Sequence, residues 1–139
     1  MMGPWLIFAS LINKATIALY YGAPMGTSFG SFVEEAKVTM LGVVPSIVRQ
    51  WKNTGTMEKF DWSAIKCFSS TGEASNPEEM KYLMQLANNK PVIEYCGGTE
   101  IGGGYATSTV VQPNIASTFS TQALGGEFIL LDENNQLSK

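Results

Sequence analysis

The chain has 139 residues, 45% of them hydrophobic and 15% charged, with a net charge of −3. That length supports one domain with a real core, and the acidic balance argues against a nucleic-acid footprint, which is normally a basic patch. Histidine is absent, which excludes Ser-His-Asp or Cys-His catalysis and a His-based zinc site within this chain.

The first element, "MMGPWLIFASLINK", is apolar on nearly every face and lacks a basic leading region. It predicts a buried helix over 2–13 rather than a targeting segment, and the run is far too short to span a bilayer. "ATIALYY", residues 15–21, reads as a strand closed by the turn Gly22-Ala23-Pro24. "TSFGSFVEEAK" reads as a helix with Thr27 or Ser28 as its cap. "VTMLGVV", 38–44, reads as a buried strand, and Pro45 then opens the helix "PSIVRQWKN". "IKCFSST", 65–71, is the next strand, followed by a helix from Asn76-Pro77 to about Ala87 whose first turn carries Glu78 and Glu79. "PVIEY" and, after a stretch rich in Ser and Thr, "GEFILLD" (126–132) read as further strands. Trp5, Trp51 and Trp62 stand apart and read as packing residues.

Strands alternating with helices predict an α/β fold with a mostly parallel sheet flanked by helices on both faces. Ligands of such sheets bind in loops beyond the carboxyl ends of the strands. Two loops, "SSTGEAS" and "YCGGTEIGGG", fall there. The two cysteines, Cys67 and Cys96, are too few and too far apart for a zinc knuckle or a CxxC pair, and a reduced intracellular compartment is expected. Both ends are abrupt, so the chain reads as a piece of a larger fold.

Residues 97–104 contain five glycines in eight positions. No Gly-Lys-Ser/Thr follows, so this is not a Walker phosphate loop. The dinucleotide fingerprint also fails, because the third glycine position counted from Gly102 is Thr107. A tight structural turn explains the glycines equally well. Thr99 and Glu100 add chemistry, since a hydroxyl can bond a phosphate oxygen and a carboxylate can hold Mg²⁺ or simply sit in water. In "SSTGEASNPEE", Gly72 and Ala74 remove bulk on either side of Glu73, leaving room for a flat ligand against the backbone. The plain alternative is a strand-to-helix loop in which Gly72 makes the turn.

Taken together, these loops and the segments around them resemble the AMP-forming acyl-CoA synthetases of the adenylate-forming superfamily, most closely the plant acyl-activating enzymes. "MMGPWLIFASLINKATIALYYG" is similar to the family's helix-strand segment, and "VTMLGVVPSIVR" to its strand-helix segment. "SSTGEASNPEE" resembles its Gly-Glu-Pro/Ala adenine loop, and "YCGGTE" its aromatic-Gly-x-Thr-Glu motif. The resemblance covers essentially the whole chain. It implies that residues 1–139 are part of a large N-terminal adenylation domain. The family's lysine-bearing phosphate loop would precede residue 1, and its C-terminal domain would follow Lys139.

By the same resemblance, Gly72, Glu73 and Ala74 would pass along adenine through their backbone. Glu94, Tyr95, Cys96, Gly97 and Gly98 would line the adenosine and acyl sites. Thr99 would bind the α-phosphate, Glu100 would hold Mg²⁺, and Met1 and Met2 would approach the acyl and pantetheine groups. Cys96 departs from the motif's aromatic position, leaving Tyr95 to supply the ring. Acetate-using relatives carry tryptophan at the position of Gly97, so the resemblance implies a deeper acyl pocket here, one that Gly97→Trp would close. The expected substrates are a small-molecule carboxylic acid (fatty or related), ATP and coenzyme A, with no nucleic acid and no transmembrane segment, in cytoplasm or peroxisome. Two other readings stay open: an adenylation domain that loads a carrier protein, and a non-catalytic product that binds nucleotide weakly or only packs against a partner.

Overall fold

The computed structural model describes residues 2–138. Four helices and five strands follow in chain order: α1 Met2–Asn13, α2 Thr27–Glu35, β1 Met40–Val43, α3 Pro45–Thr54, β2 Cys67–Ser70, α4 Pro77–Leu86, β3 Val92–Gly98, β4 Gly103–Thr107 and β5 Thr121–Gln122. The strands form one sheet in the order β1-β2-β3-β4-β5. β1, β2 and β3 pair in parallel, while β4 and β5 extend the sheet antiparallel.

Local chemistry accounts for the helices that matter here. α3 begins with Pro45 at its first turn, where the missing N–H costs nothing, and ends at Gly55 in the left-handed region (φ 62°). α4 begins at Asn76, whose side chain accepts from the Glu78 N–H at 2.9 Å, with Pro77 next and two carboxylates in the first turn. Val48 and Trp51 on α3, and Met80 and Leu83 on α4, lie one helical turn apart and are buried.

An aromatic chain links the helices to the sheet. Phe29 on α2 stacks on Trp51 at 5.7 Å, Trp51 meets Trp62 at 6.0 Å, and Trp62 meets Phe68 on β2 at 6.3 Å. Both buried indoles find a partner, Trp51 Nε1 donating to the Pro24 carbonyl and Trp62 Nε1 to that of Met57. In register across the parallel strands, Leu41, Phe68 and Val92 form one row of the core face, and Val43, Ser70 and Glu94 form the next. A carboxylate thus ends a row of core positions.

Three sequence expectations change, while the parallel sheet stands. Residues 15–21 form no strand, because no neighbour pairs with them; Leu19 is 80% exposed and only Tyr20 packs, edge-on against Phe29 at 5.1 Å. The segment 126–132 has only an isolated bridge, Leu131 to Leu137, and its apolar side chains are exposed. Helix α1 forms as expected but is not buried. The parallel sheet is found over three strands, with Met40 on its second face half exposed.

Candidate functional site

The carboxyl ends of β2 and β3 open onto a cavity of about 490 Å³. One wall is the loop 71–75, the other is Glu94–Gly97, and Ser117 and Phe119 close the far side. Thr71 ties the two walls together, its Oγ1 donating to the Tyr95 carbonyl at 2.8 Å. Gly72 takes a left-handed turn (φ 90°), a conformation that side chains rarely adopt.

Glu73 reaches from this loop to α3. Its carboxylate accepts from the Ser46 N–H at 2.9 Å and from the Ser46 hydroxyl at 2.8 Å. Ser46 lies in the first turn of α3, whose N-cap Val44 offers no side-chain acceptor, so Glu73 satisfies a free donor there. Gly72, Glu73 and Ala74 all line the cavity.

Glu94 is the buried charge of the site, 4% exposed. Burial pushes its carboxyl upward from the ordinary value, while hydrogen bonds from the Ser75 side chain and the Ser117 backbone pull the other way. Ser117 is in the left-handed region (φ 65°), a strain that a functional loop can hold when its surroundings over-determine it. The backbone beneath is pinned as well. The Ser108 N–H donates to the Glu94 carbonyl at 2.7 Å, and Asn114 Nδ2 donates to Ser108 Oγ at 2.9 Å. Glu94 also borders a second, smaller cavity of about 150 Å³, lined by Met80, Met84 and Val110.

Sequence reasoning missed the contribution of residues 108–119. Their density of Ser, Thr and Asn was a signal of local side-chain-to-backbone bonding, but it carries no spacing that points at Glu94.

The glycine stretch is a hairpin rather than an irregular loop. Tyr95 to Gly98 pair with Gly103 to Thr107, with a register shift between Cys96 and Gly97 that leaves Tyr105 as the extra residue. A Cβ on Gly97 would lie 2.2 Å from the Gly103 carbonyl oxygen and 2.7 Å from the Gly104 Cα. Gly97 therefore makes room for its own partner strand, and a side chain there requires β4 to shift. Cys96 sits 2.9 Å from the Tyr105 hydroxyl through its Sγ and also lines the cavity. Tyr95 lines the cavity beside it, and burial pushes its phenol up.

Thr99 and Glu100 lie in the turn joining β3 to β4, where the Thr99 carbonyl accepts from Gly102 N–H at 3.2 Å. They stand outside the cavity lining, and Glu100 is exposed and folded back beside Gly98. Among the described residues no group of three or more Asp, Glu, Cys or His side chains converges. Met1 lies outside the described residues, as does the side chain of Met2, which opens α1. No helix among the described residues is long and apolar enough to cross a membrane.

A cavity at the carboxyl ends of parallel strands, walled by a glycine-containing loop and one buried carboxylate, lies where sheets of this architecture hold their ligands. The chain belongs to the AMP-binding enzyme family, whose profile matches residues 1–138. It is 58% identical over 134 residues to hexanoyl-CoA synthase of Cannabis sativa, covering 96% of this chain and 19% of that protein. It is 54% identical over 135 residues to probable acyl-activating enzyme 17, peroxisomal, of Arabidopsis thaliana, covering 97% and 19%. The chain thus spans about a fifth of the length of these curated relatives. Its fold superposes on acetoacetyl-CoA synthetase from Streptomyces lividans with a TM-score of 0.83 at 23% identity, covering 96% of this chain and 22% of that one. An anthranilate CoA ligase in complex with anthranoyl-AMP gives 0.78 at 18% identity, covering 90% and 24%.

Proposed function

We propose that residues 1–139 are part of the adenylation domain of an AMP-forming acyl-CoA synthetase. The reaction joins a carboxylate to ATP, giving acyl-AMP and pyrophosphate, and coenzyme A then displaces AMP to form the thioester. The observation that carries this reading is the cavity between the Gly72–Ala74 backbone and Glu94–Gly97, whose walls are the two motifs that resemble the family's adenine loop and Thr-Glu motif. The flat faces left by Gly72 and Ala74 suit a planar base, and Thr71 holds the two walls in register.

Beyond the cavity, Thr99 supplies a hydroxyl for the α-phosphate. Glu100 offers one exposed carboxylate, which suits a Mg²⁺ ion otherwise held by phosphate oxygens and water. When bound, that ion neutralises phosphate charge while the site aligns carboxylate and phosphorus. The name of the 58% identical relative supports a medium-chain fatty acid as substrate, and the name of the second supports a peroxisomal setting. Coenzyme A is favoured over a carrier protein as acceptor on the same ground.

The test uses hexanoyl-CoA synthase with its aligned segment exchanged for this chain. Hexanoate-dependent pyrophosphate exchange is expected, falling roughly 10²-fold or more in kcat with Glu100→Gln, the scale of losing one electrostatic stabiliser. A folded chimera without exchange, or one indifferent to Glu100→Gln at saturating Mg²⁺, would overturn the assignment. The 139-residue chain alone is expected to show none.

A further inference from the structure

Phe119 borders the cavity with its ring half uncovered. It is 49% exposed, and of the exposed large apolar side chains among the described residues it alone lines the 490 Å³ space. Both of its neighbours in sequence are pinned. The Thr118 carbonyl accepts from Ser108 Oγ at 3.2 Å and from Asn114 Nδ2 at 3.1 Å, and the Ser120 N–H donates to the Thr107 carbonyl at 3.0 Å. The backbone therefore presents the ring from a fixed place, so that little ordering remains to be done when a ligand covers it.

The rest of the lining decides what that ligand is. Gly72 and Ala74 contribute small surfaces, while Thr71, Ser75 and Glu94 are polar. An alkyl chain among them would leave polar groups facing hydrocarbon without partners. A nucleobase brings a polar edge for such groups and a flat face on which an aromatic ring can stack. Tyr95, the other ring of the lining, is already packed on the hairpin, since a Cβ on Gly104 would lie 3.3 Å from its Cδ2.

We propose that Phe119 stacks on the nucleobase of the bound nucleotide, and so sets affinity for ATP rather than for the acid. The nature of the ligand rests on the adenylation reading above.

The test uses hexanoyl-CoA synthase carrying this chain in place of its aligned 134 residues, with Phe119→Ala, Phe119→Leu and Phe119→Tyr. Calorimetry gives the affinity for AMP without any turnover, and pyrophosphate exchange gives KM for ATP and for hexanoate. Phe119→Ala is expected to weaken AMP binding and raise KM for ATP roughly tenfold, with KM for hexanoate within about twofold of the parent. Phe119→Tyr keeps the ring and should stay near the parent. Phe119→Leu keeps apolar bulk without the flat face and should lose most of what alanine loses.

An alanine variant with the parent's affinity for AMP overturns the proposal. So does a leucine variant that matches the parent, because any apolar side chain then suffices. A rise confined to KM for hexanoate overturns it as well, since the acid and not the base then meets the ring. If alanine prevents folding, the leucine and tyrosine variants decide. A chimera that binds AMP through Phe119 yet exchanges no pyrophosphate keeps the stacking and overturns the reaction instead, whereas a folded chimera that binds no AMP overturns both.

Discussion

Ser46 gives the Glu73 carboxylate both its backbone N–H and its hydroxyl, at 2.9 and 2.8 Å, across 27 residues of sequence. The same loop therefore anchors α3 by a side chain and lines the cavity. Glu73→Ala should cost about 1 kcal/mol of stability, the scale of a lost helix cap, and Glu73→Gln, which keeps an acceptor, should cost less. Urea unfolding of the 139-residue chain measures both. Identical midpoints for all three proteins would show that the contact contributes nothing.

Gly97 and Gly103 make a matched pair for a second prediction. A Cβ on Gly97 meets strand β4 backbone at 2.2 Å, whereas one on Gly103 meets nothing within 4 Å. Gly97→Ala should therefore destabilise by about 1–3 kcal/mol, as overpacking does, and Gly103→Ala should be nearly neutral. Amide hydrogen exchange in β3 and β4 localises the effect. Equal protection in the two variants would mean that the hairpin yields where the geometry says it cannot.

The raised pKa of Glu94 carries a sign. A carboxyl whose folded value lies above its unfolded value holds its proton more tightly when folded. Its contribution to stability is fully present below the unfolded value and is lost as pH rises through the folded value. Burial is the main cause here, so Glu94→Gln should match the parent at acid pH and exceed it at neutral pH. Asp61 and Glu78, whose carboxyls are held low by hydrogen bonds from Ser63 and Lys81, give slopes of the opposite sign. The quantity to measure is thus the difference between variant and parent in urea unfolding across the acid range. A difference that does not change with pH would contradict the assignment.

Arg49 and Glu79 pair between α3 and α4, with Glu79 7% exposed and its second oxygen without a partner among the described residues. Removing Arg49 alone leaves a buried carboxylate uncompensated. Arg49→Ala should accordingly destabilise more in the natural background than in Glu79→Gln, and a double-mutant cycle measures the gap. Additive effects would show that the pair is not coupled.

How much of this was legible in the sequence differs from element to element. α3 and α4 were, because Pro45, Asn76-Pro77 and the spacing of Val48, Trp51, Met80 and Leu83 are local signals that tertiary packing reinforces. β4 was not, because Gly103 and Gly104 have no side chains to display a period of two. Residues 15–21 carry strand composition yet pair with nothing, since strand propensity records a fit to neighbours that the described chain does not place beside them. The two walls of the cavity were found from glycine, glutamate and threonine positions. The groups that hold Glu94 were not, because Ser75, Ser108 and the Ser117 backbone meet it only through the path of the folded chain, with Asn114 bonded in turn to Ser108.

The bulge at Tyr105 gives the hairpin a spare residue. Cys96 pairs with Ala106 and Gly97 with Gly104, so deleting Tyr105 keeps the β3–β4 pairs and straightens the strand, losing the contacts of Tyr105 with Cys96, Ala123 and Phe128. The parallel strands have no such slack. A single residue gained or lost within β2 would exchange the faces of Phe68 and Ser69 and move a serine into the aromatic chain. Insertions and deletions in natural variants should therefore collect between residues 101 and 106, while the lengths of β1, β2 and the first half of β3 stay fixed.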